Sequence, residues 1–371
     1  MSVHIHSIAT AVPPLRYRQE QIRDFMLQAV PGDERMRRVV RRMYAQSGIA
    51  FRHTVVGDLA GPVTNPFFVQ TADAGWRTPS TAQRNARFTR EAPPLFTDLA
   101  QDALTRSGFA PGAVTHVVTA SCTGFFNPGP DFHIVRALGL PEHTHRIHVG
   151  FMGCYALFPA LKVAEAFCRA DANAVVLVVC VELCSLHIQL KPSGDTLLAG
   201  CLFADGGGGA VVSALPPCHA NPTLAICALG TQLLPDSAAA MAWTIGDDGF
   251  DIVLSSYVPD LIQAHIRPTV ENWLTAQSLA LRNVSRWAVH PGGRAILDKV
   301  VTALALPADA LNVSRDVLHD YGNMSGATLF FVLDRILQDN TQPAQETICA
   351  LAFGPGLTLE MGHFIKNAGN A

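Results

Sequence analysis

Apolar residues gather in short runs along the chain: THVVTASC (115–122), HRIHVGFM (145–152), AVVLVVCVEL (174–183), GGAVVSAL (208–215), TLAICALG (223–230), SRWAVH (285–290) and ETICALAF (346–353). Runs of this length, rich in β-branched residues, predict buried strands. Between them the apolar positions recur at helical spacing, which predicts helices over 95–107, 131–138, 156–169, 259–279, 293–304 and 325–338. Strands alternating with helices point to an α/β protein with covered, largely parallel or mixed sheets. Residues 57–95 are richer in Gly, Pro, Thr and Asn and are expected to be irregular. PPCHANP (216–222) reads as a connector, dividing the chain into 1–217 and 218–371. Each part ends on an expected strand pair interrupted by glycines, CLFADGGGGAVVSAL and ICALAFGPGLTLEMGHF, a weak sign of internal duplication.

With 371 residues, 49% hydrophobic and 15% charged, the chain can bury a core large enough for two domains or two fused halves. A net charge of −3 gives no global reason to expect nucleic-acid binding. Nine cysteines lie at 122, 154, 168, 180, 184, 201, 218, 227 and 349. Their odd number and apolar settings read as reduced thiols rather than a disulfide framework. No second cysteine pair matches Cys180 and Cys184, so no zinc site is expected. The N-terminus lacks a basic and apolar leader, and the longest apolar run, Ala174–Val181, is too short to span a bilayer. The chain is therefore expected to be soluble and cytoplasmic.

Three residues stand out as candidates for chemistry. Cys154, in VGFMGCYALFPAL, reads locally as a core thiol, the commonest fate of a free cysteine. It also sits where a strand gives way to a helix, and a helix N-terminus favours thiolate. His290 ends a predicted strand and precedes Pro-Gly-Gly. It is either a capped loop histidine or a group facing the ligand-binding mouth of the sheet. Asn323 precedes an apolar helix, and is either its cap or an amide donor to a substrate oxygen. Gly354-Pro355-Gly356 is a tight turn whose bare backbone admits a close ligand.

Taken together, GFMGCYALFPALKVAEAF, WAVHPGGRAILDKV, YGNMSGATLFFVLDRI and AFGPGLTLE resemble, in order and spacing, the type III polyketide synthases of the chalcone and stilbene synthase-like family. The resemblance covers roughly residues 3–362. It implies a thiolase fold: two similar βαβα-type halves in a five-layer αβαβα core, usually a homodimer. It implies a catalytic set of Cys154, His290 and Asn323, and substrate contacts at Ser325, Gly354 and Pro355. The implied chemistry is acyl transfer from a coenzyme A thioester to a Cys154 thiolate paired with protonated His290. Decarboxylative extension with malonyl-CoA and cyclisation follow, with no metal or redox cofactor.

The resemblance also marks departures. Phe203 matches a gatekeeper phenylalanine between coenzyme A tunnel and cavity, whereas the second gatekeeper falls at Ile252. Cys122 stands where plant members have threonine, and Asn127 where they have a methionine completing the partner subunit's cavity. His187 replaces a small residue, and there it would narrow the pocket or hydrogen-bond a growing chain. Leu157 and Phe158 replace two glycines. SCTGF is closer to bacterial alkylpyrone and alkylresorcinol synthases, which points to a fatty or other non-aromatic starter. The basic helix ERMRRVVRRMYAQSG carries Arg37, Arg38, Arg41 and Arg42; the corresponding family helix meets coenzyme A phosphates, with Arg42 the best match, and the alternative reading is a solvated basic face. The alternatives are a β-ketoacyl-acyl carrier protein synthase III-like enzyme that condenses once, a non-catalytic thiolase-fold binding protein, and a hydrolytic Cys-His-Asn enzyme, whose other motifs are lacking.

Overall fold

The computed structural model describes residues 2–367 except 62, 73, 74, 217–220, 236, 256, 340 and 342–344, so the expected boundary at 217/218 lies outside the described residues. Nine strands form one mixed sheet in the order Arg286–Val289, Gln345–Gly354, Thr358–Asn367, Thr223–Leu233, Val3–Ala11, Asp205–Ser213, Val175–Leu183, His116–Ser121, His145–Gly150. Outward from the antiparallel pair Val3–Ala11/Thr223–Leu233, both sides repeat one scheme: two antiparallel pairings, then a parallel one. His145–Gly150 extends the first side by one further parallel strand.

The alternation along each strand explains the layers. In Val175–Leu183, residues Val176, Val178 and Cys180 face a central core that also holds Leu161 and Leu333, from the helices Leu157–Ala170 and Thr328–Gln338. Val175, Leu177, Val179 and Val181 face the opposite way, towards Leu99 and Ala103 of the helix Thr81–Ser107. The second side does the same: Ile348, Ala350 and Ala352 face the central core. Cys349, Leu351 and Phe353 pack instead towards the helices Val258–Thr275 and Arg294–Leu304. The two sides of the one sheet both pack on the central helix pair, so the order helix, sheet side, helix pair, sheet side, helix gives five layers around three hydrophobic cores.

Several expectations need correction. Residues 81–95 are helical, not irregular. Ser80 caps the helix by accepting from Gln83 N–H, and the helix runs through Pro93 and Pro94 to Ser107. CLFADGGGGAVVSAL is not a strand pair but one strand, Asp205–Ser213. Its glycines serve close packing: a Cβ on Gly207 would lie 2.5 Å from Leu99 Cδ1, and one on Gly208 2.4 Å from Phe330. The strand His145–Gly150 is not buried, because it is the sheet's edge and its residues are largely exposed. Leu157 and Phe158 are buried in the central core.

Candidate active site

The two sides of the sheet each bring a chain end to one place. The strand His145–Gly150 leads into a tight turn, with Phe151 at φ 59° and Gly153 at φ 78°. Cys154 then sits in the short helical turn Gly153–Tyr155, one step before the helix Leu157–Ala170. From the other side, Gly354-Pro355-Gly356 closes down on it: a Cβ on Gly153 would lie 2.5 Å from Pro355 Cδ, and one on Gly354 2.4 Å from Tyr155. Gly326 packs equally closely, its added Cβ falling 2.8 Å from Ala156. These glycines let three backbone segments meet around one thiol.

His290 follows the strand Arg286–Val289 directly, its N–H donating to Leu351 O at 2.8 Å. Both ring nitrogens are shielded from bulk water, and neither has a hydrogen-bond partner among the described residues. Asn323 is held on both sides. Its N–H donates to Leu202 O (2.9 Å), and its carbonyl accepts from Ala204 N–H (2.8 Å), forming a bridge beside Phe203. Its side-chain oxygen accepts from Ser325 N–H at 2.8 Å, and its amide nitrogen donates to Gly292 O at 3.2 Å. The two local readings of Asn323 are thus compatible: the oxygen caps a turn, while the amide lies near the Cys154 thiol with a second proton to offer.

Burial governs the ionisation of this cluster. It pushes the Cys154 thiol up to about 11, although the nearby Ser325 hydroxyl and Asn323 amide favour the thiolate. It pushes His290 down to about 3. Burial thus favours the neutral thiol and the neutral imidazole over the charged pair, against the pull of the helix end towards thiolate. Glu182, fully buried behind the thiol, is raised to about 7 by burial, against hydrogen bonds from Cys122 N–H (2.9 Å) and Thr123 Oγ1 (2.9 Å).

Cys154, His290, Asn323, Phe203, Ile252 and Pro355 all line one cavity of about 310 Å³. Much of its remaining wall is apolar and escaped the sequence reading: Trp243 and Met241 from the hairpin Met241–Gly246/Gly249–Leu254, Leu198, and Met43. Trp243 lies opposite Ile252 in that hairpin, and its ring meets Phe203 edge-on at 5.8 Å. The GDDG turn between two short alternating stretches was the available signal.

The other candidates lie outside this cavity. His187 is buried beyond Phe203, where it lines a void of about 20 Å³ together with Phe203, Trp243 and Ile252. Its Nε2 lies 2.7 Å from Thr123 O, its Nδ1 accepts from Phe250 N–H at 3.3 Å, and its ring stacks on Phe250 at 3.9 Å. No ring nitrogen is free for a growing chain, which corrects that expectation, while its bulk does fill space. Cys122 is buried, and its sulfur accepts from Gly153 N–H at 2.9 Å. Ser325 is buried against Cys154, with its hydroxyl in no regular hydrogen bond. Asn127 is exposed and does not line the cavity. Arg42 is exposed on the helix Glu34–Gln46, donating to Gln46 Oε1 at 3.2 Å. The same helix lends Met43 and Gln46 to the cavity wall.

Comparison with known proteins gives one consistent picture. Residues 2–216 match the N-terminal domain, and residues 226–366 the C-terminal domain, of chalcone and stilbene synthases. The chain is 31% identical, over 96% of its length and 89% of the relative's, to the alpha-pyrone synthesis polyketide synthase-like Pks18 of Mycobacterium tuberculosis. It is 29% identical, over 97% of its length, to the probable polyketide synthase 1 of Dictyostelium discoideum, and spans 11% of that much longer relative. Among solved structures it superimposes on PKS-I of the brown alga Ectocarpus siliculosus with a TM-score of 0.91 and 28% identity, covering 99% of this chain and 98% of that one. The C-terminal type III polyketide synthase domain of Steely1, a type I/III hybrid from Dictyostelium, gives a TM-score of 0.88 at 26% identity, covering 99% and 100%.

Proposed function

Because this chain belongs to the chalcone and stilbene synthase family, we propose that it is a type III polyketide synthase, loading an acyl group on Cys154 and extending it with malonyl-CoA. One observation carries the reading. Residues as distant in sequence as 154, 290 and 323 line a single cavity, where a buried imidazole has no partner for either nitrogen among the described residues.

The chemistry follows from these groups. Cys154 sulfur attacks the thioester carbonyl of an acyl-CoA as its proton passes to His290, and coenzyme A leaves with that proton as its free thiol. A malonyl-CoA carbonyl then occupies the place facing His290 and Asn323, whose N–H groups stabilise the enolate formed as carbon dioxide departs. The enolate carbon attacks the Cys154-bound acyl group and the thiolate leaves. The chain, two carbons longer, returns to Cys154 for another round or cyclises. Decarboxylation supplies the carbanion, so the cycle balances without a metal or redox cofactor.

Ile252 in place of a second aromatic gate, together with the SCTGF stretch, favours a fatty or other non-aromatic starter and an alkylpyrone- or alkylresorcinol-type product. Phe203 separates cavity from tunnel, and Ile252, Pro355 and Gly354 shape the acyl site. Arg42 meets coenzyme A phosphates at the rim. Cys122 and Ser325 act on Cys154 from behind, and His187 sets depth through its bulk. We place the enzyme in the cytoplasm, since the cycle needs a reduced thiol; among the described residues, no helix is long and apolar enough to cross a membrane. A homodimer is part of this reading. Phe125, Phe132 and Ile147 are exposed beside the unpaired edge strand His145–Gly150, next to Asn127. Pairing with a second copy would cover them.

The decisive test is product mass spectrometry after incubation with a panel of acyl-CoA starters and malonyl-CoA, with Cys154→Ala as control. Masses rising in two-carbon units that vanish in the variant support the proposal. Acceptance of carrier-bound malonate alone, with a single extension, would point to the one-step condensing enzyme instead.

A further inference from the structure

Arg52 lies in the short strand Phe51–Thr54, outside the cavity, yet it is 1% exposed and carries no salt bridge among the described residues. Its Nη1 donates to two carbonyls, Gly200 O at 2.7 Å and Phe203 O at 2.8 Å. Tyr44 hydroxyl donates to the same Gly200 oxygen at 2.9 Å, and the guanidinium sits 5.8 Å from the Tyr44 ring centroid. The stem packs against Gly322: a Cβ there would lie 3.0 Å from Arg52 Cγ. Gly322 has φ 76° and immediately precedes Asn323. Phe203 and Asn323 are themselves bridged through Asn323 N–H to Leu202 O and Ala204 N–H to Asn323 O. Arg52 therefore grips one end of that bridge and backs the other. Asp205 lies close enough to feel the charge, while its carboxylate accepts from Val55 N–H (2.8 Å) and Ser185 N–H (2.7 Å).

We propose that Arg52 is a positioning residue that fixes Phe203 and Asn323 as one unit, setting where the malonyl thioester oxygen sits during decarboxylation. The inference rests on the roles given above to Phe203 and Asn323. Arg52 touches neither substrate nor Cys154. Two N–H bonds from one planar nitrogen hold Gly200 and Phe203 at a fixed spacing, which a lysine ammonium on a flexible stem does not reproduce. Its loss shifts the Asn323 amide and the gate while leaving the Cys154 turn, built by Gly153, Cys122 and Pro355, in place.

The test separates the two half-reactions in Arg52→Lys and Arg52→Met, each normalised to folded protein by thermal melting and gel filtration. Acylation of Cys154 by an acyl-CoA starter is followed by intact-protein mass spectrometry. Decarboxylation of malonyl-CoA is followed by acetyl-CoA formation. The expected result is acylation within about twofold of the parent and a kcat for decarboxylation lower by about tenfold or more, with KM for malonyl-CoA little changed. A parent that neither acylates nor decarboxylates would remove the underlying functional reading itself. With an active parent, variants that decarboxylate normally, or lose both half-reactions by the same factor, would overturn the positioning role. If Arg52→Met does not fold, Arg52→Lys alone carries the comparison, and failure of both to fold overturns it as well, since Arg52 is then a folding residue.

Discussion

His187 and His290 are both buried imidazoles pushed down to about 3 by desolvation, and both border voids walled by Phe203, Trp243 and Ile252, yet they are wired oppositely. His187 uses both nitrogens on backbone groups and its face on Phe250. His290 uses neither nitrogen on any of the described residues. A buried imidazole without partners costs stability, and a fold that keeps one has placed it for a ligand. A depressed pKa alone would not have told the two regions apart; the hydrogen-bond inventory does.

The comparison breaks most visibly at the reactive cleft. His290→Ala is expected to lower malonyl-CoA decarboxylation and condensation by about 10²–10³, the usual effect of losing a donor to a developing oxyanion. The release of carbon dioxide measures it, and wild-type rates in the variant would remove His290 from the chemistry. Next in size is a pH effect. With Cys154 near 11, alkylation by iodoacetamide should climb about tenfold per pH unit from pH 7 to 10. A rate flat between pH 5 and 8 would instead reveal a thiolate–imidazolium pair.

His187 sharpens the contrast through stability. His187→Ala should lose roughly 2–4 kcal/mol from two hydrogen bonds and a stacked ring. A lower melting temperature, with half-reaction rates per folded molecule retained, is the expected outcome; unchanged melting would refute the structural role. The acid limb adds detail. Both histidines ordinarily titrate at 6.5 and fold with pKa values near 3, so between those limits the unfolded chain binds protons that the native chain does not. Stability therefore falls as pH falls through that window. Glu182, raised from 4.5 to about 7, works the other way, its contribution fading as pH rises across that range. Melting curves of His187→Gln should show a shallower acid limb by one proton's worth. The smallest expected effect is at the rim: Arg42→Ala should raise KM for acyl-CoA by a few-fold, with kcat unchanged and the difference shrinking in salt.

Much of the fold was legible because apolar runs and helical periods coincide with elements that are buried on both faces, as at Val175–Leu183 and Gln345–Gly354. Val3–Ala11 escaped because its buried face includes His6 and Ser7, which find partners only across the fold, Ser7 Oγ at Ala103 O (2.7 Å) and His6 at Ser213 O (3.4 Å). The first half of Thr81–Ser107 was hidden by Pro93 and Pro94. At the site, motif spacing pointed to Cys154, His290 and Asn323, which the fold brings to one cavity. Local pattern could not give their charge state, since desolvation depends on walls such as Trp243 and Met43 that come from distant segments. Nor could it distinguish His187 lining a pocket from His187 bonded to Thr123 and Phe250.

The cavity is assembled from both sides of the sheet: Cys154 from one, His290, Asn323 and Pro355 from the other. Synthesis runs from the N-terminus, so two hundred residues follow Cys154 before Pro355, which closes over Gly153, is made. The nascent thiol thus spends most of translation as an ordinary cysteine beside an unfinished sheet. It acquires its reactive surroundings only when the last strands dock, so a truncated chain keeps the nucleophile but not the chamber in which it acts.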